Sequence, residues 1–110
     1  MIDKGALFLS ATQACNLLKC LANPHRLMLV CHLMDGRKSV SELADLLEIG
    51  QSNASQHLGR LRLHGILKTE REAQTIYYSI ASEPARQVLH VLYDQFCSDK
   101  PRKSKGKRSC

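Results

Sequence analysis

A chain of 110 residues with no Trp, two Phe and three Tyr allows one small domain with an aliphatic core, and a domain of this size gains stability from pairing with a second copy. The formal net charge is +6, yet Lys100, Arg102, Lys103, Lys105, Lys107 and Arg108 against Asp99 place +5 of it after Cys97, leaving ten basic and nine acidic side chains in residues 1–97. Net charge alone therefore does not establish a polyanionic partner for the folded part; the order of the elements has to do so. No apolar run is long enough to span a bilayer and no signal-peptide layout opens the chain, so a cytoplasmic protein with no membrane partner is expected. Five cysteines at irregular spacing read as thiols in a reducing compartment rather than as a disulfide framework.

The first helix is expected over residues 8–21, where Phe8, Ala11, Cys15, Leu18 and Ala22 recur at helical spacing; residues 1–7 read as a flexible N-terminus. Asn23-Pro24 restarts the chain as cap and first helical residue. The second helix runs over residues 24–34 with Leu27, Val30, Cys31 and Met34 as its buried stripe and ends at Asp35-Gly36. Ser39-Val40-Ser41-Glu42 is a capping box opening a third helix whose apolar face is Leu43, Leu46 and Leu47. Glu48-Ile49-Gly50 breaks it, and a fourth helix follows over residues 51–64 with Ala54, Leu58 and Leu61 inward and Gly65 as its stop.

Residues 67–72 and 75–80 read as two strands joined at Ala73-Gln74, a turn without the usual Asn-Gly chemistry. Tyr77 and Tyr78 must point to opposite faces. Ser82 caps the last helix, whose wide apolar face of Val88, Leu89, Leu92, Tyr93 and Phe96 needs a partner surface. Residues 98–110 read as a disordered basic tail, leaving 8–97 as the folded domain.

Capped helix, three-residue turn, second helix and hairpin, in that order, are the parts of a winged helix-turn-helix: mainly α, about five helices and a two-stranded wing. The second helix of the pair enters the major groove with its N-terminal residues at base edges. Gln51, Ser52, Asn53, Ser55, Gln56 and His57 are short, amide or imidazole side chains suited to that task, and Gln or Asn can pair bidentately with adenine. Arg60 suits phosphate. Ser39 at the start of the preceding helix and Ala73-Gln74 at the wing tip complete the expected DNA contacts. For His57 a helix-packing role is an equal alternative. No Ser-His-Asp order, glycine-rich phosphate loop or carboxylate pair points to catalysis, so neither enzymatic activity nor a cofactor is expected.

The segments "LANPHRLMLVCHLM" (21–34), "SVSELADLLEIGQSNASQHLGRLRLHGIL" (39–67) and "REAQTIYYSI" (71–80) resemble the ArsR/SmtB family of winged-helix bacterial repressors, over about residues 17–97. Ser55-Gln56-His57-Leu58 and Tyr77-Tyr78 are the most specific parts. Gly50, where relatives often carry Ser, and Asn53-Ala54 depart from the pattern and bear on which operator is read. The resemblance implies a homodimer built from the first and last helices, bound to an imperfect palindrome in double-stranded DNA and released by an effector.

Ser39-Val40-Ser41 stands where metal sensors of the family hold Cys-Val-Cys, and hydroxyls are poor ligands for the metals thiolates hold. His90 and Asp94 match half of a second family metal site, but no His or Glu follows them, so no metal ligands are assigned. Read from the residues alone, Cys31 on its apolar stripe is an inert core thiol. Its place together with Cys97 resembles the HlyU/SqrR/BigR subgroup. That resemblance implies a redox-sensing pair, reduced when DNA is bound and bridged by disulfide or polysulfide when reactive sulfur species or oxidants arrive. A metal-responsive repressor using Cys15, Cys20, Cys31, Cys97 or His90, and a constitutive DNA-binding anti-repressor, remain open at this point. Cys15 and Cys20 read as dimer-face packing.

Overall fold

The computed structural model describes residues 3–97; the expected basic tail and Cys110 lie outside the described residues. Helix α1 spans Lys4–Leu21. It begins four residues before the expected start because the Asp3 carboxylate accepts from the Ala6 N–H at 3.3 Å, a capping signal placed ahead of the first apolar repeat. The helix buries only Cys20 and Leu21, while Phe8 is 73% exposed. Cys15 is exposed as a dimer-face residue would be, but Cys20 sits in the subunit's own core.

Helix α2, Pro24–His32, is capped by the Asn23 side-chain oxygen, which accepts from the N–H groups of His25 and Arg26 at 2.9 and 3.2 Å. A 3-10 turn, Leu33–Asp35, tightens its end before Gly36. The helix has two apolar faces rather than the single expected stripe. Leu29, Val30 and Leu33 are buried, whereas Leu27, Cys31 and Met34 are half-buried.

Strand β1, Lys38–Ser39, has only two residues. It runs into α3, Val40–Leu47, where the expected capping box is made: Glu42 N–H donates to Ser39 Oγ at 3.2 Å and Ser39 N–H to Glu42 Oε1 at 2.8 Å. Leu43, Ala44 and Leu47 are buried, but Leu46 is exposed, so the inward face is narrower than expected. Glu48 turns the chain with a left-handed φ of 57°. Gly50 then caps α4, Gln51–Leu63, without a side-chain bond, and Ala54, Leu58 and Leu61 face inward as expected. After α4, Gly65 takes a φ of 77° that a side chain rarely adopts.

Strands β2, Leu67–Glu72, and β3, Thr75–Ile80, form the hairpin. The hairpin is the two-stranded wing expected, and strand β1 joins it on the other side of β3, giving an antiparallel sheet of three strands in the order β1-β3-β2. Ser39 lies opposite Tyr77, and Tyr77 opposite Glu70. Leu67, Tyr78 and Ile80 share the face turned to the core. Ser82 Oγ accepts from Ala85 N–H at 3.1 Å to start α5, Glu83–Phe96.

The core gathers on α2, α3 and α4. Leu29, Leu43, Leu58 and Leu61 are each 0% exposed, and burying such a side chain is worth about 1.5–3 kcal/mol. This core fixes α3 and α4 relative to each other. The outer surface of α4 is therefore presented on a stiff support.

Candidate nucleic-acid interface and cysteine cavity

Helix α4 repeats Ala54, Leu58 and Leu61 on its buried side, which turns Gln51, Ser52, Asn53, Ser55, Gln56 and Arg60 outward, all exposed. These six residues of the expected reading set form one continuous polar surface. The glycine cap leaves the first N–H groups of the helix without a side-chain acceptor, and such N–H groups, with the positive end of the helix dipole, favour a phosphate.

Three of the expected residues also make contacts within the subunit. Ser39 is half-buried and its hydroxyl is committed to the capping box. Gln51 reaches back across the turn and donates to Ser41 Oγ at 3.0 Å. That clasp between α3 and α4 brings Ser41, which was not among the expected DNA contacts, to the edge of the surface. His57 is half-buried, its ring set edge-on to that of His25 on α2 with centroids 5.5 Å apart. Burial, then Arg26 and His25, hold its pKa below the ordinary histidine value, which favours the neutral ring at neutral pH. At the wing tip Ala73 and Gln74 are exposed, and Ala73 carries a φ of 59°.

The second site lies on the opposite side of α2. Pro24, Leu27, Met28 and Cys31 follow one another at i, i+3, i+4 and i+7, and Leu89, Leu92, Tyr93 and Phe96 do the same on α5, with Cys97 at its C-cap. The two stripes enclose an open cavity of about 340 Å³ with no charged residue in its lining. Cys31 and Cys97, drawn from different elements, thus line one space. Cys97 is disulfide-bonded. Burial, and secondarily the Asp35 carboxylate, push the Cys31 thiol above its ordinary pKa, leaving little thiolate at neutral pH.

His90 and Asp94 form an exposed i,i+4 pair with Nε2 and Oδ2 3.7 Å apart. Among the described residues no group of three or more His, Cys, Asp or Glu is placed to hold a metal, and no helix is long and apolar enough to cross a membrane.

Fold and surface together define a winged-helix regulator that binds DNA. Residues 23–69 match the model of the arsR family of bacterial regulatory proteins. The biofilm growth-associated repressor of Xylella fastidiosa is 46% identical over 88 residues, 80% of this chain and 77% of that protein. The solved structure of reduced HlyU from Vibrio cholerae superimposes with a TM-score of 0.80 at 38% identity, covering 83% of this chain and 96% of that one. The homodimeric winged helix-turn-helix DNA-binding domain Mb0332 from Mycobacterium bovis matches with a TM-score of 0.69 at 28% identity, covering 84% and 83%. The chain belongs to the arsR family, alongside its HlyU- and BigR-type members, and is a transcriptional regulator. These relatives are regulators, not enzymes.

Proposed function

We propose that this chain is a homodimeric repressor that holds an imperfect palindromic operator while Cys31 and Cys97 are thiols and releases it when a persulfide, polysulfide or related oxidant bridges them. The observation that carries this reading is the shared cavity: the two cysteines of the family pattern line one apolar space between α2 and α5. A relative solved as its reduced form fits a protein whose redox state matters. Homodimerisation is supported by exposed apolar side chains on α1 and α5, with Phe8 73%, Leu9 63%, Val91 57% and Phe96 81% exposed, and by the homodimeric neighbour.

The chemistry balances without a further oxidant. One cysteine thiol gives up its proton, and its thiolate takes the outer sulfur of an organic persulfide, R–S–S–H, becoming Cys–S–S–H and releasing R–S⁻, which takes up that proton as R–S–H. The second thiolate attacks the sulfur bonded to carbon in that group. The Cys31–Cys97 disulfide forms, the outer sulfur leaves with the proton as hydrogen sulfide, and the protein has lost two hydrogens. A second sulfur transfer before closure gives a longer bridge. Low thiolate content keeps Cys31 slow toward bulk oxidants. A bridge across the cavity fixes how α5 lies on α2. It weakens DNA binding because that packing differs from the DNA-bound one.

The test begins with fully reduced protein exposed to an organic persulfide, followed by intact mass, peptide mapping and binding to an operator selected from random DNA. A bridge joining Cys31 to Cys97 together with loss of operator binding is expected. Cys31→Ser and Cys97→Ser should keep operator binding and lose the response. Normal release by either variant overturns the pairing. Unmodified thiols with stoichiometric zinc or copper uptake would replace it with metal sensing, and affinity indifferent to both reagents with constitutive binding.

A further inference from the structure

The outer face of the sheet carries a cluster that none of the readings above uses. Glu70 and Glu72, two apart on β2, project to the same side, and Tyr77 lies opposite Glu70 on that side. Arg37, just before β1, lays its guanidinium over the Tyr77 ring, 4.2 Å from the centroid. From there its Nη1 meets Glu70 Oε2 at 3.1 Å and its Nη2 donates to Glu72 Oε1. One planar cation thus joins the segment ahead of β1 to both carboxylates near the wing tip, a fork geometry that lysine's point charge does not reproduce.

A wing that approaches DNA with two uncompensated carboxylates meets phosphate repulsion. Lys68 stands on the same face as Glu70 and Glu72, so Arg37 and Lys68 together balance the two negative charges there. Without Arg37 the face is net negative. The cation is supplied from outside the hairpin, so the hairpin's own strands do not reveal it.

We propose that Arg37 is a positioning residue for DNA binding: by clamping Glu70 and Glu72 over Tyr77 it cancels the wing's acidic charge and sets the wing's approach to the phosphate backbone, without being the wing's own phosphate contact. The proposal rests on the DNA-binding reading of the wing.

The experiment measures operator affinity of the full reduced chain across a salt series for the parent, Arg37→Ala, Arg37→Ala/Glu70→Gln/Glu72→Gln and Glu70→Gln/Glu72→Gln. Arg37→Ala should weaken binding roughly three- to fivefold at low salt, with the deficit shrinking as salt rises because exposed charges are screened. Removing the two carboxylate charges in the same chain should restore affinity to within about twofold of the parent. Thermal melts report fold integrity separately, and a role confined to packing would not be rescued by the glutamines. Persistent weakness in the triple variant, with a log-log salt slope smaller by about one, would make Arg37 a direct phosphate contact and overturn the proposal. Unchanged affinity of Arg37→Ala would overturn it too. A parent chain that binds no selected operator overturns the DNA reading itself and this inference with it.

Discussion

Replacing Ser39 by Ala separates two roles that the sequence left joined, helix cap and DNA contact. The hydroxyl accepts from Glu42 N–H at 3.2 Å, and Glu42 returns the bond to Ser39 N–H at 2.8 Å. The substitution removes the first of these directly and loosens the second. A lost Ser cap costs about 1 kcal/mol, within a range of 0.5–2. For a domain of this size that corresponds to a melting temperature lower by roughly 4–8 °C. The assay is thermal unfolding followed by circular dichroism at one fixed protein concentration, because melting of an associating protein depends on concentration. Ser39→Thr should recover most of the loss. Operator affinity measured well below the melting range should match the parent, since the hydroxyl is spent on the helix. An Ala variant that melts like the parent would refute the capping argument. One that is folded but binds the operator more weakly would place Ser39 on the DNA.

Gln56→Ala should flatten the preference for operator over mismatched DNA by about 1–3 kcal/mol, read from competition binding; a change confined to salt-dependent, sequence-neutral affinity would remove Gln56 from the base-reading set. The Asp35 carboxylate is the secondary cause of the raised Cys31 pKa. Asp35→Asn, which keeps an oxygen to accept from Lys38 Nζ at 2.9 Å, should therefore lower that pKa, enlarge the thiolate fraction at neutral pH and speed Cys31 alkylation. Peptide-resolved iodoacetamide labelling across a pH series checks this, and an unshifted profile would show that the carboxylate does not act on the thiol.

Signals carried by local bonds were legible in the residues. Asn23-Pro24, the Ser39–Glu42 box, Gly65 and the inward repeat of Ala54, Leu58 and Leu61 are each satisfied within one element, and each stands where expected. What was missed depends on distant partners. Strand β1 has two residues and no periodicity, and exists only because β3 offers it an edge. Leu46 and Leu47 look alike in sequence, and only packing decides that one is exposed. Cys20 reads as surface on an amphipathic helix until the rest of the core closes over it. The two faces of α2 merge into one stripe in sequence because both are apolar; only the position of α5 makes one of them a cavity wall. The exposed polar face of α4 was legible almost residue by residue, the half-buried His57 excepted, whose neighbour His25 lies 32 positions earlier. The turn at Ala73-Gln74 was placed by the flanking strands rather than by its own residues, and Ala73 holds a positive φ at a cost glycine would avoid, about 1 kcal/mol.

The two residues of β1 also have a mechanical consequence. They stitch the wing to the start of α3, so hairpin and helix pair are held together as one stamp. In the proposed dimer, the adjustable coordinate is then the distance and twist between two rigid stamps. The operator acts as a ruler: the gap between its half-sites defines which arrangement of the pair is read, and an effector that alters the seat of α5 works by making the stamps miss their marks.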